Sequence, residues 1–233
     1  DRLATKKVFS ATGGLDRLTG ALAETIGAGQ ITLSAANVTI RPYTDKWIAT
    51  YSTAEGEQTI IARQVVTTTG AYTLPGLLPF IPEEKMDRIS NLHYAPVVQA
   101  SVGFRNTGGL RFDAFGGLVP SCEKKDVLGI LFPSACFAGR APEGGALFSF
   151  FIGGVKHAGL TDWPDEELKA LIRHELHAML KFPEETEPDM IRIFRHKHAI
   201  PQYEQSSGAR FETIDELQAR YPGLTLAGNI KGG

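Results

Sequence analysis

The sequence predicts an α+β fold in which a mixed or antiparallel sheet with flanking helices is inserted into part of a separate α/β body. Three observations carry this prediction. Four strand-like segments between residues 95 and 154 are spaced for one antiparallel sheet. The proline-bearing stretch YTLPGLLPFIPEE, at 72–84, sets them apart from what precedes and reads as a linker or crossover. The first and last pieces of the chain both look like parts of one α/β body. The expected limits are residues 1–80 for the first part of that body, 81–200 for the inserted domain and 201–233 for the return segment.

The elements follow in order. GLDRLTGALAETI, at 14–26, puts Leu15, Leu18, Leu22 and Ile26 on one helical face, with Gly27 as the stop. ITLSAANVTIRP, KWIATYS and EQTIIARQVVTTTG form a three-stranded meander. The β-branched run Val65 to Thr69 predicts a strand buried on both faces. APVVQASVGF, FGGLVPS, VLGILFPS and ALFSFFIGG supply the inserted sheet. TDWPDEELKALIRHELHAML is a strong helix, with Asp162 as its expected cap and Leu168, Leu171, Ile172, Met179 and Leu180 on its apolar face. MIRIFRHKHAI returns as a strand, a short helix forms around FETIDELQARY, and LTLA is the last strand.

Composition removes several function classes. Over 233 residues, 42% hydrophobic and 21% charged, the chain is ordinary globular material. A net charge of −2 gives no basic excess to drive nucleic-acid binding. No apolar run approaches the length that spans a bilayer. Two cysteines, Cys122 and Cys136, lack metal-ligand spacing and imply a reducing, cytoplasmic setting. The chain opens at Asp1 without a Met or a signal peptide, and it closes inside a glycine cluster. The expectation is a piece cut from a longer polypeptide.

Short motifs weigh little. Gly27-Ala28-Gly29 follows a helix and lacks the third glycine of a dinucleotide fingerprint, so it reads as a helix end. His174 and His177 stand three apart instead of the four that a zinc-protease helix needs, and read as a solvated face. His196 and His198 share one strand face with Arg195 and Lys197 adjacent, so a polar sheet face is the better reading than a metal site. No nucleophile elbow, P-loop or cysteine cluster occurs, which leaves chemistry carried by a bound cofactor and no nameable catalytic residue.

Four segments in order, FSATGGLDRLTGALAETIGAGQITLSAANVTI, FGGLVPSCEKKDVLGILFPSACFAGRAPEGGALFSFFIGG, AIPQYEQSSGARFE and YPGLTLAGNIKGG, resemble the oxygen-dependent protoporphyrinogen oxidases and the related flavin-dependent coproporphyrinogen oxidases. The resemblance covers essentially the whole chain. It implies an FAD-binding body of the flavin amine oxidase type with a substrate-binding domain inserted, and FAD as cofactor of the intact protein. The implied activity is oxidation of protoporphyrinogen IX to protoporphyrin IX by molecular oxygen in heme synthesis. The alternatives are a coproporphyrinogen III oxidase, another flavin amine oxidase, or a non-catalytic tetrapyrrole-binding or structural module. The fragment alone would be inactive and would lack FAD. The family's membrane-associated helices lie mostly upstream of this stretch, so peripheral contact with an inner membrane would come from there. An apolar face left where missing parts dock would favour a homodimer.

Carried onto this sequence, the resemblance implies that Val38 meets the adenine end of FAD through its backbone, with core packing as the alternative. Thr67 to Gly70, including Thr69, match the strand returning toward the cofactor. Gly228 and Asn229 match the strand end beside the flavin, with Gly232 entering the turn. Where the family shows Gly-His after IPQY, this chain has Ser206 and Ser207, and Gly208 replaces a bulkier flavin neighbour. Leu118 and Phe137 match apolar residues that clamp the pyrrole rings of a tetrapyrrole substrate, with ordinary core as the alternative. The substrate's carboxylates need cations, and Arg140 and Lys124 are the local candidates, against a plain solvated role.

Overall fold

The computed structural model describes residues 9–231, which divide into two compact units. In chain order the elements are α1 (Asp16–Ile26), β1 (Ala36–Tyr43), β2 (Lys46–Thr53), β3 (Gly56–Ala62), β4 (Val65–Thr67), α2 (Leu74–Leu77) and α3 (Glu83–Ser90). Then come β5 (Tyr94–Phe104), β6 (Gly116–Leu118), β7 (Val127–Leu131), α4 (Pro133–Cys136) and β8 (Ala146–Gly153). The chain ends with α5 (Asp165–Leu180), β9 (Met190–Pro201), α6 (Ser207–Arg220) and β10 (Leu224–Leu226).

One unit, 29–94 with 200–231, holds the meander β1-β2-β3 and a two-stranded parallel sheet, β4 with β10. Leu224, Thr225 and Leu226 pair with Val65, Val66 and Thr67. Val65 to Thr69 is therefore not a strand buried on both faces. Only three of its residues pair, Thr67 is buried, and Val66 is 62% exposed. The proline-bearing stretch is core and not a linker. Pro75 lies in the first turn of α2, where its missing N–H costs nothing, and Leu74, Leu78, Ile81 and Ile89 pack with Ile214, Leu217 and Ile230. That shared core carries the compact unit through Tyr94, beyond the limit at residue 80 that the sequence suggests. Trp47 closes the same core. Its Nε1 donates to the Pro222 carbonyl at 3.2 Å, and its ring meets Phe80 at 5.5 Å. Lys85 on α3 holds Glu216 on α6 at 2.6 Å, and this hydrogen-bonded cation keeps the Glu216 carboxyl below the usual carboxylate range.

The other unit, 9–28 with 95–199, is the five-stranded sheet in the order β6-β7-β8-β5-β9, with α1 and α5. Alternation along β5 and β8 sends Val98, Ala100, Val102, Phe104, Phe148, Phe150 and Ile152 into a core closed by Leu168, Ile172 and Leu176 of α5. Phe104 stacks on Phe182 at 4.3 Å, and Phe112 and Phe132 meet Phe148 edge-on. The buried rings of Phe104, Phe148 and Phe182 each contribute on the order of 2 kcal/mol by area removed from water. Pro164, not Asp162, precedes the first turn of α5, and Asp162 lies in the preceding 3-10 turn. α1 groups with this unit and not with the residues that follow it, and Ser10 just before it accepts a hydrogen bond from Arg140 Nη2 at 2.7 Å. Leu15, Leu18, Leu22 and Ile26, its expected apolar face, are all more than half exposed.

One face of the sheet is covered by α5. Ile191 and Ile193 of β9 pack on the α5 side, and Arg195 reaches the Thr161 and Trp163 carbonyls beside α5. The alternate residues, Met190, Arg192 and Phe194, therefore share the opposite face with Gln99, Ser101 and Ser149. On that face Gln99 Nε2 donates to Ser101 Oγ at 3.1 Å.

Candidate cofactor site

The site forms in the unit that carries β4 and β10. Two parallel strands end together here, and the carboxyl ends of parallel strands are where α/β bodies bind ligands. The Ala227 N–H donates to the Thr67 carbonyl at 2.8 Å, which holds the two ends in register. Just beyond, Gly228 adopts φ +91°, and a Cβ there would stand 3.2 Å from the Thr68 carbonyl oxygen, so a side chain is disfavoured twice over. Tyr94 ties the strands' exits together. Its hydroxyl accepts from the buried Ala71 N–H at 3.0 Å and donates to Asn229 Oδ1 at 3.2 Å. Thr67 Oγ1 is buried without a hydrogen-bond partner among the described residues, a polar atom left free at this strand end.

β1 supplies the facing wall. Ala36 pairs with Ser52 and Thr39 with Thr50, so Asn37 and Val38 together stand opposite the single residue Tyr51. This is a β-bulge, and Asn37 takes the left-handed conformation, φ +52°, that an asparagine tolerates. The one-to-one ladder is interrupted at these two residues. A cavity of about 580 Å³ lies against the bulge, lined by Asn37, Val38 and Thr39 from β1 and by Thr69, Thr73 and Leu77 from the β4–α2 segment.

Two of the residues inferred from sequence thus meet in one cavity, Val38 and Thr69. Gly70 follows Thr69 and leads into Ala71, and Gly228 and Asn229 stand at the neighbouring strand end. Gly208 sits in the first turn of α6, where an added Cβ would meet nothing, so no packing requires a glycine there. Gly232 lies outside the described residues. Sequence reasoning missed Asn37, Thr39, Thr73 and Leu77. Asn37 within a strand-like run was the available signal, because asparagine favours the left-handed conformation of a bulge.

The residues inferred to bind substrate lie in the sheet unit. Leu118, at the end of β6, is 86% exposed, and its Cδ2 leans over Gly129, where a Cβ would come within 3.1 Å of it. It is not core. Phe137 follows α4, beyond the other end of β7, half-buried, with the Arg140 guanidinium 5.9 Å from its ring centroid. Arg140 also holds Ser10. Lys124 belongs to a different pocket, at the end of the sheet where Leu118 stands. His177 does more than face water, since its Nδ1 lies 2.9 Å from the Phe182 carbonyl at the end of α5. Among the described residues no group of three or more His, Cys, Asp or Glu is placed to hold a metal ion, and no helix is long and apolar enough to cross a membrane.

Parallel strands ending beside a cavity are the place where α/β bodies bind ligands. The chain belongs to the flavin containing amine oxidoreductases, whose family model matches residues 3–231. It is 28% identical over 245 residues to the chloroplastic protoporphyrinogen oxidase of Oryza sativa subsp. japonica, an alignment covering 100% of this chain and 46% of that protein. It is 21% identical over 172 residues to the coproporphyrinogen III oxidase of Bacillus subtilis (strain 168), covering 73% of this chain and 36% of that one. A crystal structure from Exiguobacterium sp. 255-15, of a protein provisionally named protoporphyrinogen oxidase, superposes with a TM-score of 0.77 at 21% identity, over 93% of this chain and 46% of that one. The chain thus spans under half the length of these relatives.

Proposed function

We propose that this chain forms part of an FAD-dependent oxidase that converts protoporphyrinogen IX to protoporphyrin IX with molecular oxygen, in heme biosynthesis. The observation that carries the reading is the bulge at Asn37-Val38 facing Thr69 across one cavity, beside the glycine-bearing ends of β4 and β10. The residues fit the group. The main chain of Val38 offers a donor and an acceptor suited to an adenine edge, Thr69 and Thr73 offer hydroxyls, and Leu77 offers an apolar wall. Gly228 leaves room for close approach beside the unpartnered Thr67 hydroxyl. Bound FAD would supply hydride acceptance from the porphyrinogen and reoxidation by oxygen.

The chain's own residues bind, orient and exclude water. In this reading the unit with β4 and β10 is the cofactor body and the five-stranded sheet is the substrate body. Leu118 would give a flat macrocycle an apolar wall, and the Phe137 ring, with Arg140 over it, would give a second contact that combines stacking with a cation near a carboxylate. Removing hydrogens at successive positions of one macrocycle calls for holding it in a fixed orientation, and positioning of this kind supplies much of such a rate. The free thiols of Cys122 and Cys136 support a reducing compartment.

The test is an aerobic assay of the longer polypeptide that carries this chain, supplied separately with protoporphyrinogen and coproporphyrinogen, reading porphyrin fluorescence. Faster turnover of protoporphyrinogen is expected. Preference for coproporphyrinogen would move the protein to the second activity, and bound FAD with neither product would sink the porphyrinogen reading. Val38→Pro, which removes the N–H, should lower FAD retention while Val38→Ile should not.

A further inference from the structure

We infer that the cavity at the β6–β7 end of the sheet unit binds an amphiphilic anion, a carboxylate or phosphate ester carried on an apolar body. Antiparallel pairing creates the place. Leu118 pairs with Gly129 and Val127 with Ile152, so the loop after β6 and the turn after β8 meet at one end of the sheet. Between them lies a cavity of about 490 Å³, within the range of small-molecule sites.

Its chemistry is one-sided. Lys124, Lys125, Lys156 and His157 line it with Ser121, and no carboxylate does. The neighbouring acids engage these cations without lining the cavity. Glu175 of α5, 3% exposed, takes Lys125 Nζ at 2.9 and 3.1 Å, and Asp126 Oδ1 lies 3.6 Å from His157 Nδ1. Two ammonium groups are left without a carboxylate. Lys156 donates to Ser121 Oγ at 3.1 Å and thereby joins the two loops, and the Lys124 ammonium has no partner among the described residues. The remaining lining is apolar, with Val119, Leu128 and Val155 among it. Lysines clustered on an open surface would read charge alone. Here they border an apolar wall, so the complementary ligand has a charged head and a greasy body. The cavity lies wholly within the sheet unit and its assignment does not rest on the proposed oxidase activity.

The experiment is calorimetric titration of the chain with octanoate, octyl phosphate, inorganic phosphate and octanol, repeated on the double variant Lys124→Gln/Lys156→Gln. Both lysines are exposed, so the variant keeps its core. One molecule of octanoate or octyl phosphate should bind per chain, and the tighter of the two identifies the headgroup. The double variant should weaken it about tenfold, as loss of two partly screened ion pairs implies. The His157 ring resonances should shift on titration of the unsubstituted chain. Inorganic phosphate binding as tightly as octyl phosphate would show that the apolar wall plays no part, and octanol binding as tightly would show the same of the lysines. Either result, unchanged binding in the double variant, or no His157 shift, overturns the inference.

Discussion

Replacing Tyr94 with Phe removes one oxygen and leaves the ring, which still meets Tyr72 edge-on at 5.6 Å. That oxygen serves two partners. Ala71 is 0% exposed and its N–H donates to the Tyr94 hydroxyl at 3.0 Å, so the variant leaves a buried donor with no water to turn to. Orphaning such a group costs about 1–3 kcal/mol. Asn229 is only half-buried and accepts the second bond at 3.2 Å, so its loss is partly made good by solvent and adds about 0.5 kcal/mol. The expected destabilisation is therefore about 1.5–3.5 kcal/mol, or a fall in melting temperature of roughly 3–14 °C for a chain of this size. Urea unfolding followed by circular dichroism should show a lower midpoint at unchanged slope. Hydrogen exchange should show the Ala71 amide losing protection. If the midpoint moves by less than about 0.5 kcal/mol and the Ala71 amide stays protected, Tyr94 does not fasten the two strand exits as argued.

Other expectations follow from named contacts. Lys125→Met strands the buried Glu175 and should cost about 2–3 kcal/mol, discounted because the lysine is partly exposed, whereas Lys125→Met with Glu175→Leu should recover most of it; an additive cycle would show the pair to be uncoupled. Gly116 has φ +126°, and a Cβ there would lie 2.2 Å from the Ile130 carbonyl oxygen, so Gly116→Ala should detach β6, seen as lost amide protection at Gly117 and Leu118. Glu216 has a depressed folded-state pKa, so its contribution to stability is present above the unfolded carboxylate pKa and is lost as pH falls through the folded value. Lys85→Met should move the Glu216 titration, followed by carboxyl carbon NMR, upward toward the ordinary range; an unmoved midpoint would assign the depression elsewhere.

Local patterns revealed some of this structure and concealed the rest. The helix α5 and the strands β5, β7 and β8 could be read because periods of 3.6 and 2 are properties of neighbouring residues. The pairing of β4 with β10 could not, since Thr67 and Leu226 meet only after most of the chain has passed between them. The proline-bearing stretch misled because proline in a first helical turn and proline in a linker look alike in sequence, and only the burial of Leu74 and Ile89 separates them. At the candidate site, Val38 and Thr69 were accessible through resemblance, but the cavity walls from Thr73 and Leu77 depend on how α2 folds back on β1. Leu118 and Phe137 resemble core residues in sequence, and exposure distinguishes the first from core.

The extra residue in β1 has an evolutionary corollary. On the proposed reading the cofactor meets the peptide groups of residue 38 and is indifferent to its side chain, so that position should drift among apolar residues and an alanine scan should pass over it in silence. Deleting one residue between Ala36 and Thr39 would instead restore an unbroken ladder and abolish the feature at a stroke, and adding one would widen it. What lineages should hold constant there is the length of the strand, more strictly than its letters.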